Sequence, residues 1–331
     1  MSDAGKKENL LLFGATGYIG VFIIQKIIEN KTSFGKIAIF TSPSTVQKKE
    51  NDTKKLKSEG VEVIVGDVQK PEDILKAFEG INTVISAVGR NVLGEQINWI
   101  KLANQTPSIT RFFPSEYGTD IEYGPASATE IPHQQKLKVR AALKATTMLD
   151  YTYVVTGPYA DAQIPAYLCA MPYHADTGSY DVQKRSAMLT GDGNGKISLT
   201  TPSDVGKLVV KALLHPDACR NRALRVNSFT TTPAEIVAEF ERQLGGEEWT
   251  VTHTPYEKLR QLEKDAYTNK APIAPIFTLR RIWAEGGTLY EKRDNEVIDA
   301  EDMETLEDAI RDAIVIQQTG NPDTHKDRKY Q

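Results

Sequence analysis

The sequence predicts an α/β fold, in which a doubly wound parallel sheet carries a smaller C-terminal domain. Two features of the chain support this prediction. Through the first half, short apolar runs alternate with stretches of helical periodicity. A glycine-rich turn, Gly14–Gly20, joins the first apolar run to the first helical stretch. Strand–helix alternation requires right-handed crossovers and gives a parallel sheet, and continuous apolar runs suit strands that are buried on both faces.

The elements of the first half follow one another with short connections. The predicted strands are Leu10–Phe13, Lys36–Phe40, Val61–Val65, Thr83–Ala87, Arg111–Phe113 and Tyr151–Thr156. The predicted helices are Tyr18–Asn30, Val46–Ser58, Pro71–Phe78, Gly94–Asn104 and Pro132–Thr147. Pro71 is a good helix start, because a proline suits the first helical position and the acidic residues after it suit the positive end of the helix dipole.

After Gly157 and Pro158 the chain becomes more aromatic and less regular. We interpret Ile197–Leu199 and a helix over Pro202–Leu214 as a return to the first domain. Later helices are predicted at Pro233–Leu244, Pro255–Lys264 and Met303–Ile316, before a polar tail from Thr319. The predicted division assigns residues 1–157, with 197–228, to a nucleotide-binding domain, and residues 158–196 and 229–331 to a substrate-binding domain.

The composition is that of a soluble globular protein, with 331 residues, 40% hydrophobic and 25% charged. The formal net charge is −4 and no basic stripe is present, which argues against a nucleic-acid partner. No apolar run reaches the ~18 residues that span a bilayer, and the N-terminus has no apolar signal core. We expect a cytoplasmic protein, monomeric or homodimeric, that acts on a small molecule and not on a membrane.

Neither the cysteines nor the histidines have the spacing of a metal site. Cys169 and Cys219 stand far apart, which fits a reduced compartment and not a disulfide scaffold. Four of the histidines lie at scattered positions without ligand spacing: His174, His215, His253 and His325. The sequence therefore predicts no metal site.

The strongest local pattern is the turn Gly14-Ala15-Thr16-Gly17-Tyr18-Ile19-Gly20, which follows an apolar strand and opens an amphipathic helix. Its glycines permit a tight turn and bring backbone N–H groups close to a pyrophosphate at the helix N-terminus. We interpret it as the dinucleotide-binding turn of a Rossmann domain, the alternative being a plain tight turn. The candidate cofactor-binding residues here are Gly14, Thr16, Gly17, Tyr18, Ile19 and Gly20.

The end of the second strand bears on the choice of cofactor. An acidic residue there would hold the ribose 2′-hydroxyl of NAD. The strand ends instead in Thr41 and Ser42, and Lys48 and Lys49 follow within reach of a 2′-phosphate. This pattern favours NADP(H), with Thr41, Ser42 and Lys49 as candidate contacts. The alternative is that the lysines only solvate a helix.

The third and fourth strands end in further candidates. Asp67 either contacts the adenine side of the cofactor or caps the following turn. Ser86, Ala87 and Val88 end the fourth strand, where small residues let a cofactor pass. Ligands of open parallel sheets bind at the carboxyl ends of strands, so we expect these residues to line the cofactor site.

Four motifs together resemble one known family. They are Gly14–Gly20, Arg111-Phe112-Phe113-Pro114-Ser115-Glu116-Tyr117-Gly118, Tyr151-Thr152-Tyr153-Val154 and Gly191-Asp192-Gly193-Asn194. In this order they resemble the isoflavone reductase/phenylcoumaran benzylic ether reductase family, a branch of the NmrA-like atypical short-chain dehydrogenases, over about residues 8 to 316. The chain is more similar to fungal members of secondary metabolism than to the plant reductases. The resemblance implies an NADPH-binding Rossmann domain, a smaller substrate domain and a cleft between them.

The resemblance also implies the site residues. A lysine four residues before an arginine, here Lys136 before Arg140, is the implied catalytic residue. The alternative is that Lys136 only hydrogen-bonds the nicotinamide ribose of the cofactor. His133, one turn earlier, is either a substrate-facing acid/base or a polar residue at a loop-to-helix junction. The remaining expectations are Pro114, Ser115, Glu116, Gly157 and Pro158 at the cofactor, and Tyr117, Tyr159 and Tyr167 at the substrate. The alternative for Tyr159 is an aromatic residue that only packs at the domain junction.

Three positions depart from the family pattern. Thr41 stands where the plant enzymes usually carry an arginine at the end of the second strand. Gly157-Pro158-Tyr159 replaces an Asn-Phe-Phe-like string and changes the substrate side of the site. Ordinary short-chain dehydrogenases place a tyrosine four residues before the lysine. That position is Pro132 here, and the tyrosine–lysine pair is therefore absent.

These observations predict an NADPH-dependent oxidoreductase of secondary metabolism that acts on an aromatic or alkaloid-like molecule, with Lys136 exchanging the proton. Burial would lower the pKa of this lysine and suit it to acid/base chemistry. A second hypothesis is a redox-neutral cyclase or rearrangement enzyme with transient hydride transfer. A third is an NmrA-type NADP sensor without turnover. Pro114-Ser115-Glu116 lacks the glycine-flanked elbow of a hydrolase nucleophile.

Overall fold

The computed structural model of the chain describes residues 7–320. His325 and all but the first two residues of the predicted polar tail lie outside this range. Its strands are β1 Leu10–Phe13, β2 Ile37–Thr41, β3 Glu62–Val65, β4 Thr83–Ser86, β5 Arg111–Phe113, β6 Asp150–Val155, β7 Ser179–Asp181, β8 Ser186–Thr190, β9 Ile197–Leu199, β10 Arg222–Arg225, β11 Phe229–Thr231 and β12 Thr250–Thr254.

The α-helices of the same range mostly lie between or after these strands. They are α1 Gly20–Glu29, α2 Pro43–Lys48, α3 Glu50–Ser58, α4 Pro71–Ala77, α5 Gln96–Asn104, α6 Pro125–Thr129, α7 Gln134–Lys144, α8 Pro202–Leu214, α9 Pro216–Cys219, α10 Pro233–Gln243, α11 Tyr256–Thr268, α12 Ala274–Ala284 and α13 Leu306–Thr319. Short 3-10 helices, Arg90–Glu95 and Ile131–His133, lead into α5 and α7.

The main sheet has seven strands in the order β10-β6-β5-β4-β1-β2-β3, and every neighbouring pair is parallel. The predicted doubly wound sheet is thereby confirmed. The strand order reverses at β1, where Phe13 is the partner of Phe40 on one side and Ser86 on the other. A crevice for a ligand opens at such a switch point, outside the carboxyl ends of the strands.

Helices cover the sheet on both faces, so β1, β2 and β4 are buried throughout. The predicted apolar face of α1, with Phe22, Ile23 and Ile27, is buried in this core. Its backbone lies against α8, because a Cβ at Gly206 would stand 2.4 Å from the Phe22 carbonyl oxygen. Strand β3 differs from the prediction of a strand buried on both faces: it forms the edge of the sheet and is partly exposed.

The structure corrects two of the predicted elements. The helix predicted over Val46–Ser58 is two helices, and the first begins earlier because Ser42 caps it and Pro43 occupies its first position. Ile197–Leu199 does not return to the main sheet; it pairs antiparallel with Phe229–Thr231 in a sheet of its own. The chain returns to the main sheet through α8 and β10. Strand β10, which the sequence analysis missed, pairs with β6. The division into two domains stays a prediction.

The C-terminal part adds a three-stranded sheet, β12-β8-β7, and four helices to this framework. Its own apolar core includes Phe240, Trp249 and Trp283. Helix α12, also absent from the prediction, faces the loop that follows β5, where Trp283 Nε1 donates to Thr119 Oγ1 at 3.1 Å. None of the helices in residues 7–320 combines the length and apolarity needed to cross a bilayer.

Candidate active site

A cavity of about 610 Å³ lies between the carboxyl ends of the sheet strands and α12. This volume is in the range of small-molecule sites. The predicted site residues that line it are Gly17, Tyr18, Ile19, Ala87, Val88, Ser115, Glu116, Tyr117, His133, Lys136, Gly157, Pro158 and Tyr159. The predicted residues that do not line it are Gly14, Thr16, Gly20, Thr41, Ser42, Lys49, Asp67, Ser86, Pro114 and Tyr167.

The glycine turn lies at one end of this cavity and has no room for side chains. Gly14 has a φ of +79°, and a Cβ there would stand 2.6 Å from the Ala87 carbonyl oxygen. A Cβ at Gly20, where α1 begins, would stand 1.9 Å from the Gly14 carbonyl oxygen. The turn therefore presents bare backbone and the N-terminal end of a buried helix, the arrangement that fits a dinucleotide pyrophosphate.

Lys49 is the one cationic candidate that reaches this turn, and it does so from the C-terminal end of α2. Its Nζ donates to the Thr16 carbonyl oxygen at 2.5 Å, and both Lys48 and Lys49 are exposed. Thr41 lies buried at the end of β2, and the Ser42 hydroxyl accepts from Thr45 N as the cap of α2. The ammonium group of Lys49 beside the glycine turn fits a 2′-phosphate. The Ser42 hydroxyl oxygen is already used to cap α2.

Two roles were predicted for Asp67, an adenine-side contact or a cap on the following turn, and the structure shows the cap. Its Oδ1 accepts a hydrogen bond from Gln69 N at 3.0 Å, and its own N–H donates to Asp73 Oδ2. Ser86 is fully buried at the end of β4, and its Oγ has no hydrogen-bond partner within the described range. Ala87 and Val88 carry the chain from there onto the cavity wall.

Hydrogen bonds tie together the loops that follow β4, β5 and β6. Ser115 Oγ donates to the Val88 carbonyl oxygen at 2.8 Å. The Gly118 carbonyl oxygen accepts from Gly157 N at 2.9 Å, and Tyr159 Oη donates to the Tyr117 carbonyl oxygen at 2.5 Å. These hydrogen bonds join the loops after β4, β5 and β6 where they line the cavity.

Lys136 lies on the first turn of α7 and lines the cavity. Its Nζ donates to the Glu116 carbonyl oxygen, which leaves two N–H groups for other acceptors. Burial lowers the pKa of Lys136 to about 8; the charges of Arg90 and Arg140 act in the same direction, and Glu116 opposes them. A lysine with this pKa is protonated at neutral pH and gives up its proton more readily than a free one.

The carboxylate of Glu116 is occupied by Arg140 and is not available for catalysis. Arg140 Nε and Nη2 donate to its two oxygens at 2.9 and 3.0 Å, and Nη1 donates to Asp120 Oδ1 at 2.9 Å. All three side chains are at most 2% exposed. Arg140, four residues after Lys136, therefore fixes the loop whose carbonyl receives the lysine.

His133 is buried at the junction before α7, with 3% of its surface exposed, and it lines the cavity. Its Nδ1 lies 2.7 Å from the Ser127 carbonyl oxygen, which can only accept, so Nδ1 carries the hydrogen. Burial lowers the pKa of His133, which favours the neutral ring. Within residues 7–320 its Nε2 has no hydrogen-bond partner, and the same holds for the buried Tyr117 hydroxyl.

Tyr167 requires a correction, because the structure does not bring this predicted substrate contact to the cavity. Its side chain is buried in the C-terminal core, with its ring centroid 6.1 Å from those of Tyr180 and of Trp283. The neighbouring segment that does reach the cavity is 163–166.

Sequence reasoning also missed lining residues that only tertiary packing brings to the site. Ile276, Leu279 and Trp283 of α12 form its far wall, although they follow the glycine turn by more than 250 residues. Arg90, the first residue of the 3-10 helix that follows β4, is a further missed residue. Its position beside the predicted Ser86–Val88 segment was the signal that could have identified it. Among the described residues no group of His, Cys, Asp and Glu side chains is arranged to hold a metal ion.

Comparison with known proteins gives one matching family model. The model of the NmrA-like family matches residues 6–282. Among curated relatives, eugenol synthase 1 of Petunia hybrida is 28% identical over 282 residues, 83% of this chain and 85% of that protein. Phenylcoumaran benzylic ether reductase TP7 of Nicotiana tabacum is 27% identical over 278 residues, with the same coverage of 83% and 85%.

A solved structure extends the similarity to the fold. The binary complex of leucoanthocyanidin reductase with NADPH from Vitis vinifera superposes with a TM-score of 0.75. It covers 93% of this chain and 99% of that chain, at 20% sequence identity. The sequence resemblance to the isoflavone reductase branch is confirmed by these matches.

Proposed function

Because the chain belongs to the NmrA-like family, we propose that it is an NADP(H)-dependent oxidoreductase acting on an aromatic or alkaloid-like small molecule of secondary metabolism. The observation that carries the proposal is Lys136, which lines the cavity with a pKa lowered to about 8 by burial. A protein that only sensed a nucleotide would have no use for such a proton donor. The named relatives, a synthase and a reductase among them, support an enzyme.

The cofactor argument rests on the shape and charge of the glycine turn. The turn and the start of α1 would hold the pyrophosphate, and Lys49 would hold the 2′-phosphate. The small residues Ala87 and Gly157 leave space along the cavity wall. When bound there, NADPH supplies a hydride to the substrate.

Lys136 supplies the proton that balances this hydride. One N–H is held by the Glu116 carbonyl oxygen, so the amine is oriented and its other hydrogens are free to bond a substrate oxygen or nitrogen. The proton passes to that atom as it becomes negative, and the neutral amine regains a proton from solvent.

His133 supplies an acceptor in the same cavity. Since Nδ1 is committed to Ser127, the neutral ring offers the Nε2 lone pair. A substrate hydroxyl that donates to Nε2 satisfies an otherwise unpaired buried atom. We therefore assign His133 to substrate orientation, with proton exchange at Lys136.

Turnover separates this proposal from the other two hypotheses. Purified protein is incubated with NADPH and aromatic candidate substrates, and cofactor consumption and product mass are measured together. The expected result is one NADP+ per product that is heavier by two hydrogen atoms. A product of unchanged mass formed with catalytic cofactor would identify a redox-neutral enzyme. Cofactor and partner binding without turnover would identify a sensor.

Lys49 is expected to determine cofactor choice. Lys49→Ala should raise the Kd for NADPH about tenfold, because it removes a charged contact to the 2′-phosphate worth about 1.4 kcal/mol. The Kd for NADH, which lacks that phosphate, should not change. Titration by calorimetry measures both, with the exposed Lys48→Ala as the matched control. An equal loss for both cofactors would contradict the assignment.

A further inference from the structure

Tyr18 of the glycine turn makes a contact that reaches beyond the nucleotide site. Its hydroxyl donates to Asp161 Oδ2, which lies 143 positions later in the chain. Asp161 is 2% exposed and stands two residues before segment 163–166, which lines the cavity. This hydrogen bond therefore joins the turn that fits the cofactor to a part of the cavity wall that lies outside the parallel sheet.

The turn itself holds the backbone on both sides of Tyr18. Gly17 N donates to the Gly14 carbonyl oxygen at 2.9 Å, and Val21 N donates to the Gly17 carbonyl oxygen at 3.1 Å. The centroid of the Tyr18 ring lies 5.7 Å from that of the Tyr159 ring. A pyrophosphate bound on this turn would contact the same stretch of backbone and restrict Tyr18 further.

Segment 163–166 is less restrained than the turn. Ile164 is 65% exposed although it lines the cavity. The C-terminal end of the segment is hydrogen-bonded to Arg280 of α12, whereas at its N-terminal end Gln163 N reaches Asp161 Oδ1 only at 3.4 Å. Exposed cavity-lining segments open locally at a low free-energy cost, so a single hydrogen bond can change how often this segment opens.

We propose that Tyr18 is a positioning residue: NADP(H) bound at the glycine turn fixes Tyr18, which through Asp161 holds segment 163–166 in place for the substrate. A hydrogen bond to a carboxylate is strong enough to change such an equilibrium about tenfold. Ordering one side of the bond lowers the entropy cost of ordering the other, so the substrate should bind the cofactor complex more tightly than the free protein. This inference rests on the proposed function, which places the cofactor at the turn.

Hydrogen exchange measures the order of the segment without a known substrate. The amides of Ala166, Tyr167 and Leu168 donate to the carbonyl oxygens of residues 163, 159 and 161, so their exchange requires the segment to open. Mass spectrometry follows peptides over residues 14–20 and 163–168, with and without saturating NADP+. In the wild-type protein NADP+ should slow exchange in both peptides, by about tenfold for the amides of residues 166–168.

The variant Tyr18→Phe removes the hydroxyl and keeps the ring. Saturating NADP+ should still slow exchange in its glycine turn but should change exchange at residues 166–168 by less than twofold. Tyr173→Phe is the matched control, because this tyrosine is 91% exposed in the same C-terminal part, and it should keep the full response to NADP+.

The outcomes separate this inference from the proposed function. In the wild-type protein, slowing at the turn without slowing at residues 166–168 overturns the coupling and leaves the cofactor site standing. An undiminished response to NADP+ in Tyr18→Phe overturns it too, even if exchange is faster both with and without NADP+, because the bond is then purely structural. Loss of NADP+ binding in Tyr18→Phe would assign the hydroxyl to the cofactor and also overturns it. No slowing at the turn of the wild-type protein contradicts the proposed cofactor and, with it, the coupling.

Discussion

Replacement of Lys136 by methionine should lower turnover by about two to four orders of magnitude, the usual contribution of a positioned acid or base. Methionine keeps the apolar stem of the side chain and removes the amine. Because the glycine turn and Lys49 are untouched, the Kd for NADPH should stay within about threefold. Steady-state kinetics and cofactor titration measure the two quantities separately. Lys138→Met, an exposed lysine on the same helix, is the control and should remain fully active.

The pH profile provides an independent readout of the same residue. The pKa of Lys136 is lowered to about 8, and the protonated amine is the donor, so the reduction rate should fall as pH rises through about 8. Arg90 contributes to that lowering, so Arg90→Met should move the descending limb to higher pH. Full activity of Lys136→Met would remove the lysine from the mechanism. A parallel loss of NADPH binding and turnover would assign it to the cofactor instead.

The second large effect is on stability. Arg140→Met should lower the free energy of unfolding by about 3–5 kcal/mol, because it leaves the buried carboxylates of Glu116 and Asp120 without their partner. Arg242→Met is the matched control: this arginine pairs with Glu239 on α10 and with Glu307, 56% of its side chain is exposed, and its loss should leave the unfolding midpoint close to that of the wild-type protein. Urea denaturation of both variants measures the difference.

The pH dependence of this deficit has a definite sign. In the wild-type protein burial raises the pKa of Asp120, but Arg140 and further hydrogen bonds outweigh it and hold the pKa below its ordinary value. The resulting stabilisation is fully present above the pKa that Asp120 has in the unfolded chain. It is lost as the pH falls through the lower pKa that Asp120 has in the folded protein. Without Arg140 the carboxyls take up protons on acidification, so the deficit of Arg140→Met should shrink as pH falls. A deficit below 1 kcal/mol at pH 7 would contradict a structural role for the pair.

Local patterns were sufficient to predict the sheet of the first half. Gly14–Gly20 and the buried runs such as Leu10–Phe13 specify their own backbone, so their bounds agree with the structure within a few residues. The missed strand Arg222–Arg225 has only two apolar residues between two arginines and lies on the edge of the sheet, where burial is incomplete, so it lacked the apolar run used as the criterion. The earlier start of the first of the two helices depended on the cap at Ser42, which the apolar pattern does not contain.

The site was predictable only where the resemblance or a strand end marked it. Lys136 and His133 were found in this way. The sequence could not show that His133 Nδ1 bonds the Ser127 carbonyl oxygen, which leaves the lone pair on Nε2. Tyr167 was expected at the substrate, whereas the fold uses the ring as core. The far wall on α12 had no sequence pattern that connects it to the turn at Gly14, because only tertiary packing brings the two together.

The hydrogen bonds between α12 and segment 163–166 bear on how mutation can change the substrate preference of this protein. Arg280 of α12 donates to the carbonyl oxygens of Ala166 and Tyr167, at 2.7 and 3.3 Å, so helix and segment form one unit outside the parallel sheet. Lys136, the proposed proton donor, and the glycine turn belong to the other unit. On the proposed function, mutations in the first unit are expected to change which molecules bind without disturbing the reaction, so a change of substrate needs no change in the sheet.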